Sequence, residues 1–175
     1  MAEWKKRVSE YKERLVAINR ITKVVKGGRR FGFAALVVVG KEKGSIGVGS
    51  GKSKQVPNAI KKATQDAIRN IIKISLKDGR TLHHDVKGRN GSGKVIMRSA
   101  PAGTGIIAGG PIRAVCDVLG IQDIVAKSVG SANPHNVVKA SVAALLSQAS
   151  PKLLSAMRGK KISEIVSKRE NTKWD

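Results

Sequence analysis

The sequence is poor in cysteine, in aromatic residues and in acidic residues. It has one cysteine and 12 acidic side chains among 175 residues, and aromatic residues make up 3% of it. The lone cysteine, Cys116, excludes a disulfide within the chain, so we expect a reducing compartment, either the cytoplasm or an organelle matrix. Because Cys116 lies in an apolar stretch, we expect a small buried hydrophobic residue and not a catalytic thiol.

Long apolar segments and clusters of catalytic or metal-binding residues are also missing. No run of about 18 apolar residues is present, and residues 1–6 lack the apolar stretch of a signal peptide, so we expect no membrane association. His83 and His84 are adjacent and would point to opposite faces of a strand, which argues against a shared metal ion. No carboxylate pair and no nucleophile beside a base occurs at an interpretable spacing. We therefore predict no catalytic residue, metal, cofactor or small-molecule substrate.

The charge of the chain points to a polyanionic partner. The 34 lysines and arginines give a formal net charge of +22 and a sequence pI near 10.7, while 41% of the residues are hydrophobic and can form a core. So many like charges repel one another in a compact fold, and a nucleic acid that releases counterions on binding would relieve this repulsion. A basic surface that only confers solubility is disfavoured, because the cations are clustered and not mixed with acids.

The strongest cluster lies on a predicted hairpin. A strand from Ala17 to Val25 and a strand from Phe31 to Val39 flank the turn Lys26-Gly27-Gly28-Arg29-Arg30. The glycine pair can supply positive φ and lets the backbone approach a ligand closely. The sequence therefore predicts a basic tip that is held away from the core and contacts phosphates.

The residues after the hairpin predict a third strand and a helix. Residues 45–51 have glycine at alternate positions, which leaves one face of the strand bare for the close approach of RNA or of another backbone. The alternative is tight packing against a helix. Such a helix is predicted from Pro57 to Ile72, where apolar residues keep helical spacing. Together with an amphipathic helix over residues 3–16, the first unit is predicted to be α-β-β-β-α.

A turn at Asp78-Gly79 separates a second unit. Here we predict strands over residues 81–86, 94–99 and 121–128, with a basic, glycine-rich turn at 87–93. Two helices are predicted, one from Pro111 to a terminator at Gly120 and one that begins at Pro134. The chain is thus predicted to be an α+β protein with a tail at 1–10, a domain at 11–76, a second domain at 77–159 and a basic, partly helical tail at 160–175.

Two glycine-rich segments imitate nucleotide-binding motifs and fail in detail. Gly93-Lys94 closes a spacing typical of a phosphate loop, but Val95 stands where a serine or threonine must hold magnesium. Gly103-x-Gly105-x-x-Ala108, with Asp123 about twenty residues later, imitates a dinucleotide fingerprint. Because Pro111 places the helix start after that motif, we expect a bend or a subunit-contact loop there.

The candidate RNA-binding residues lie at the turns, on the glycine-rich strand and around the start of the first predicted helix. Lysines at a helix start would present ammonium groups to phosphates beside the helix N–H donors. Phe31 and Phe33 share a face of their strand, where each can belong to the core or stack on an unpaired base. The predicted RNA-binding residues are Arg20, Lys23, Lys26, Gly27, Gly28, Arg29, Arg30, Phe31, Phe33, Gly47, Gly49, Gly51, Lys52, Lys54, Lys61, Lys62, Lys87, Arg89 and Lys94.

Longer motifs carry a family resemblance that extends over nearly the whole chain. They closely resemble the bacterial-type S five family of small-ribosomal-subunit proteins. The motifs are Asn19-Arg20, Val25-Lys26-Gly27-Gly28-Arg29, Val56-Pro57, Gly103-Thr104-Gly105-Ile106-Ile107-Ala108-Gly109-Gly110 and Gly130-Ser131-x-Asn133-Pro134-x-Asn136-Val137-Val138.

The resemblance implies an N-terminal domain like the double-stranded-RNA-binding fold and a C-terminal domain with a split β-α-β arrangement. It implies a non-catalytic, ribosome-bound protein whose RNA-binding residues contact small-subunit ribosomal RNA where head and body meet, and which contributes to translational accuracy. It also implies contacts with the neighbouring proteins S four and S eight. By motif position, the protein-contact residues are Gly103, Gly105, Gly109, Gly110 and Arg113. Two alternatives stay open at this point: a free regulator that binds double-stranded RNA, and an enzyme of the phosphotransferase type.

Overall fold

The structure, a computed structural model, describes residues 11–41 and 44–170, with side chains described through residue 167. Among these residues no helix is both long and apolar enough to cross a membrane. The elements in chain order are β1 (Lys12–Val25), β2 (Gly28–Lys41), β3 (Ser45–Ser53), α1 (Val56–Arg69), β4 (Ile72–Lys73), β5 (Val86–Asn90), β6 (Gly93–Ser99), β7 (Ile106–Ile107), α2 (Gly110–Leu119), β8 (Ile124–Gly130), α3 (Pro134–Ser147), α4 (Pro151–Arg158) and α5 (Ile162–Glu170).

The first sheet is antiparallel, with its strands in the order β1, β2, β3 and β4. β1 and β2 form a long hairpin whose register runs from Lys12 opposite Gly40 to Val25 opposite Gly28. α1 packs across one face, because its alanines recur every four residues and offer a flat stripe to the strands. The buried residues at this contact are Ala35, Val37, Val39, Ala59, Ala63 and Ala67.

The second sheet has the strand order β5, β6, β8 and β7. Its first three strands pair antiparallel, whereas β7 pairs parallel to β8 and reaches it through α2. α3 packs on β5 and β6 from the same side of the sheet. Two sheets with helices packed on them in this way confirm the predicted α+β, two-domain fold class.

The two domains share one hydrophobic core. Leu36 and Val38 point away from α1, and they are buried in the same cluster as Val115 and Val118 of α2. That cluster continues through α3 to the inner face of the second sheet, where Met97 is fully buried. The layers therefore run α1, first sheet, α2 with α3, second sheet. Among the described residues, the inner half of the first sheet is covered on both faces, whereas the second sheet is covered on one.

The predicted helix boundaries of the second domain are confirmed. Gly120 ends α2 in the left-handed region with φ of 79°, which glycine adopts without a steric penalty. Asn133 caps α3, where its side-chain oxygen accepts a hydrogen bond from the backbone N–H of His135 at 3.1 Å. Pro111 and Pro134 lie in the first turns of their helices, as predicted.

The helix predicted over residues 3–16 is wrong where it can be compared. Residues 3–10 lie outside the described part of the chain, but Lys12 to Val16 belong to β1. Apolar residues in this segment fit helical spacing, yet pairing with the end of β2 satisfies the same backbone groups across the hairpin. The tertiary contact overrides a weak local pattern.

Three element boundaries in the second domain also differ from the prediction. Only a single bridge, from Thr81 to Lys77, and the start of β5 at Val86 remain of the strand expected over 81–86. Thr81 donates its side-chain hydroxyl to the carbonyl oxygen of Asp123 at 2.7 Å, which anchors this segment without strand pairing. Residues 87–90 lie in β5, so the expected basic turn shrinks to Gly91 and Ser92. β8 starts at Ile124 and not at residue 121, and α4 was not predicted.

Candidate nucleic-acid interface

The β1–β2 hairpin ends in a two-residue turn with an exposed basic tip. Val25 is opposite Gly28, so Lys26 and Gly27 form the turn. Of the two glycines only Gly28 has positive φ, at 132°, which corrects the expectation for the pair. No atom lies within 4 Å of the Cβ position at either glycine, so a ligand can approach the backbone from outside.

Cations occupy both faces of the outer half of the hairpin. Lys23 and Arg30 are directly opposite each other and share one face, while Arg29 shares the other face with Val24, which is 75% exposed. No acidic group of the described chain pairs with these three cations. The tip is therefore a strongly positive element with no internal neutralisation, and an anion is its natural counterpart.

The two phenylalanines of β2 differ in environment. The guanidinium of Arg20 lies 3.9 Å from the centroid of the Phe31 ring, and Phe31 is 52% exposed. Phe33 is half-buried and packs against the α1 side of the first sheet. Phe33 therefore belongs to the core, whereas Phe31 and Arg20 form an exposed cation–π pair with flat surfaces available to a base.

The start of α1 offers a second set of donors. Gln55 precedes the helix without making a side-chain cap, and the first turn has no acidic residue, so the first helical N–H groups are not neutralised by side chains. Lys52 and Lys54 are exposed immediately before the helix. Lys61 and Lys62 are exposed on it. A phosphate at this end would meet both ammonium groups and backbone donors.

The bare face of β3 is covered by α1 and not open to a ligand. Gly47, Gly49 and Gly51 are buried, and a Cβ at any of them would collide with the backbone of α1. They pair across the ladder with Val39, Val37 and Ala35, so each glycine makes room for the helix beside a larger side chain. Of the two alternatives weighed from the sequence, helix packing is the observed one, and these glycines do not belong to an exposed surface.

Lys87, Arg89 and Lys94 lie together on the second sheet, away from the hairpin. Arg89 is directly opposite Lys94, and Lys87 is two residues along the same face of β5. All three are exposed. Sequence reasoning missed Lys127 on this face, because only strand pairing brings β8 beside β6. It also missed Arg98, although alternation along the predicted strand 94–99 places Arg98 on the face of Lys94.

The loop between β6 and α2 is held by a buried carboxylate. Asp123 is 2% exposed, forms an ion pair with Arg80, and accepts hydrogen bonds from the backbone N–H groups of Gly103 and Gly105, each at 3.0 Å. The bond from Arg80, and next the N–H of Gly105, lower the pKa of Asp123 below its ordinary value. Asp123 is thus a structural anchor, so the dinucleotide-like spacing has no ribose-binding acid.

The predicted protein-contact residues lie around this anchored loop. Gly103 is exposed and Gly105 half-buried, both with positive φ, and Gly109 and Gly110 are exposed where α2 begins. Arg113 is exposed in the first turn of α2. The loop is therefore exposed to solvent while Asp123 holds the N–H groups of Gly103 and Gly105, which suits a contact with another macromolecule.

The contacts of Cys116, His83 and His84 indicate structural roles for these residues. Cys116 is fully buried, and burial, with a smaller effect of Asp117, raises the pKa of its thiol to about 12. Such a thiol is protonated and inert at neutral pH, as predicted. The Nε2 atom of His84 accepts a hydrogen bond from the N–H of Ala149 at 3.1 Å, and His83 is 3.0 Å from the hydroxyl of Ser75.

Comparisons with known proteins cover most of the chain. The family model "Ribosomal protein S5, N-terminal domain" matches residues 11–75, and "Ribosomal protein S5, C-terminal domain" matches residues 88–158. The small ribosomal subunit protein uS5 of Pelagibacter ubique is 64% identical over 157 residues, which cover 90% of this chain and 92% of that protein. The proteins of the same name from Paramagnetospirillum magneticum and Methylobacterium radiotolerans are each 61% identical. They cover 93% and 94% of this chain, and 77% and 85% of their own lengths.

Proposed function

We propose that this chain, which belongs to the ribosomal protein S5 family, binds small-subunit ribosomal RNA with the β1–β2 hairpin and the start of α1. As a member of that family it is a structural ribosomal constituent and not an enzyme. Membership confirms the S five resemblance carried by the motifs, and with it the prediction that the chain has no catalytic role. The alternative of a phosphotransferase is thereby excluded.

The observation that carries the proposal is the unneutralised tip of the hairpin. Lys26, Arg29 and Arg30 are exposed at the end of a long two-stranded arm, beside an exposed aromatic ring at Phe31. An arm of this kind adds little to the core, so its cations serve contacts outside the protein. A guanidinium group can donate two parallel hydrogen bonds to one phosphate. Arginine side chains and the Phe31 ring can also stack on unpaired bases.

The second part of the proposal concerns location and neighbours. The protein works in the cytoplasm on the ribosome, at the junction of head and body of the small subunit, beside proteins S four and S eight. The exposed loop at Gly103 to Gly110, with Arg113, contacts S four, and through this contact the protein contributes to translational accuracy. The anchored loop supports this role, because a fixed backbone loses little entropy on binding.

The experiment that tests RNA binding compares two triple variants on small-subunit ribosomal RNA. The first replaces Lys26, Arg29 and Arg30 by alanine. The matched control replaces Lys152, Arg158 and Lys161, which are exposed cations of the C-terminal segment. We expect the tip variant to lose affinity and to lower the slope of log affinity against log salt by about 2 to 3, since each lost phosphate contact removes about 0.7 to 0.9.

The control variant should keep the slope of the unaltered protein, and both variants should keep its thermal unfolding midpoint. Footprinting on the naked RNA should lose only the protections made by the hairpin. An affinity that is independent of salt, or a tip variant that binds as the unaltered protein does, would contradict the proposal. Sedimentation of cell extract separates ribosomal residence from a free regulator, which would remain in the light fractions.

A further inference from the structure

The open face of the second sheet carries an ordered array of cations and apolar side chains. The ladder pairs place three rows across it. One row is Lys87, Ile96 and Lys127, a second is Arg89, Lys94 and Val129, and a third is Arg98, Val125 and Ile107. Rows are about 6.6 Å apart along the strands, and neighbours within a row are about 4.8 Å apart. The face thus holds five cations and four apolar residues, and no acid is among them.

This array is accessible and mostly not neutralised within the protein. All five cations are exposed, as are Val125 at 38%, Val129 at 48% and Ile107 at 55%. Asp85, at the edge of the third row, lies 3.7 Å from Arg98 and partly neutralises it. The side chain of Arg89 donates one hydrogen bond to the carbonyl oxygen of Gly91 at 3.1 Å, which leaves its other donors free. The first two rows are therefore the electropositive part of the face.

The face is remote from the hairpin and from α1. α1 covers the outer side of the first sheet, and α2 with α3 separate that sheet from the second one. The array lies on the far side of the second sheet, so it and α1 occupy opposite ends of the four layers. A single ribosomal RNA contact at the hairpin therefore does not account for these cations.

We propose that the outer face of the second sheet, centred on Ile96 and Lys127, is a separate binding surface for an RNA strand with unpaired nucleotides. This rests on the proposed function, because it assumes that the protein binds RNA at all. Four close cations with no acidic partner among the described residues favour a chain of phosphates. The apolar residues between them fit the sugars and base faces of an opened strand, whereas a duplex keeps its base faces stacked and presents mainly phosphates and 2′-hydroxyls.

The composition of the face also predicts how it reads RNA. None of its nine positions carries an aromatic ring to stack on bases, or an amide side chain to read base edges. Apart from Arg89 and Arg98, whose guanidinium groups can contact a base, the face recognises the backbone, so two unrelated unstructured sequences should bind with similar affinity.

The test uses the full chain in the background of the hairpin variant Lys26→Ala, Arg29→Ala, Arg30→Ala. The sheet variant adds Lys87→Gln, Arg89→Gln, Lys94→Gln and Lys127→Gln. The matched control adds Lys152→Gln, Arg158→Gln, Lys160→Gln and Lys161→Gln, which remove the same charge from exposed positions elsewhere. Fluorescence anisotropy with an unstructured RNA oligonucleotide, and with a blunt RNA duplex, gives affinity against salt for each protein.

We expect the sheet variant to lower the salt slope for the unstructured RNA by about 2 to 3, at about 0.7 per phosphate, and the control to change it much less. Equal slopes for the sheet variant and the control would overturn the inference. A loss on the duplex as large as on the unstructured RNA would overturn the assignment to unpaired nucleotides. If the fourfold sheet change prevents folding, Lys127→Gln alone should lower the slope by about 0.7.

Failure of the inference is distinguishable from failure of the proposed function. If the unaltered protein and the hairpin variant bind ribosomal RNA equally well, the proposed function at the hairpin fails. If only the hairpin variant loses affinity and the sheet variant causes no further loss, the proposed function stands and the second surface is absent.

Discussion

Both sheets of this protein have four strands, but they differ in how many of their faces are covered by helices. The inner half of the first sheet is covered on both faces, by α1 on one side and by α2 on the other, whereas the outer half of the hairpin is exposed. The inner part of its central strand β2 is consequently a continuous apolar run, with residues 35–40 all buried. The second sheet is covered on one face, and β6 alternates buried Val95 and Met97 with exposed Lys94 and Arg98. The difference shows that a strand covered on both faces has consecutive apolar residues, whereas a strand covered on one face alternates apolar and polar residues.

The largest expected effect concerns the tight contact between β3 and α1. Gly49→Ala should lower the free energy of unfolding by about 3 kcal/mol, because the new methyl group would collide with the backbone of α1 at Ala63 and Ala67. Urea denaturation measures this change. Gly27→Ala is the matched control, since nothing lies within 4 Å of its Cβ position, and it should change stability by less than about 0.5 kcal/mol. Similar losses in both variants would show that packing against α1 is not the cause.

The next effect compares valines on covered and open faces. Val38→Ala should cost about 2 kcal/mol, because Val38 is fully buried between the first sheet and α2 and its loss leaves a cavity. Val125→Ala on the open face of the second sheet should cost less than about 0.5 kcal/mol, since Val125 is already 38% exposed. Equal costs, measured by chemical denaturation, would mean that the open face is covered in solution.

Phenylalanine substitutions extend the comparison to the hairpin. Phe33→Ala should lower stability by about 1 to 2 kcal/mol, since Phe33 is half-buried against the core at α1. Phe31→Ala should change stability by less than about 1 kcal/mol, the worth of an exposed cation–π pair with Arg20. Thermal unfolding checks both values, and a reversed order would place Phe31 in the core.

A pH effect should distinguish the second domain. Arg80 and the glycine N–H groups lower the pKa of Asp123 in the folded state. Its contribution to stability is therefore present above the unfolded value of about 3.9 and is lost as pH falls through the lower folded value. Acid titration of stability should show a loss on the acid side that Asp123→Asn removes. Asp85→Asn, at an exposed carboxylate, is the control. An unchanged acid limb in Asp123→Asn would contradict the anchor role.

Much of the fold was predictable because the decisive signals are local. The basic turn at Lys26, the helix starts at Pro111 and Pro134 and the terminator at Gly120 depend on φ preferences and missing N–H groups of single residues. These preferences belong to the residue itself, so they act in the same direction whatever the residue packs against. Charge clustering likewise indicated a polyanionic partner, and the family motifs identified the ribosomal protein S5 family, without reference to a structure.

The remaining features depend on which elements meet, and tertiary structure alone decided them. Gly47, Gly49 and Gly51 could serve RNA or a helix equally well by sequence, and only the position of α1 shows that they serve the helix. Lys12 to Val16 became strand because the end of β2 needed a partner. Lys127 joined Lys87 and Lys94 on one face through the β6–β8 pairing. Such contacts between distant segments have no local signal, since loop closure and packing decide them together.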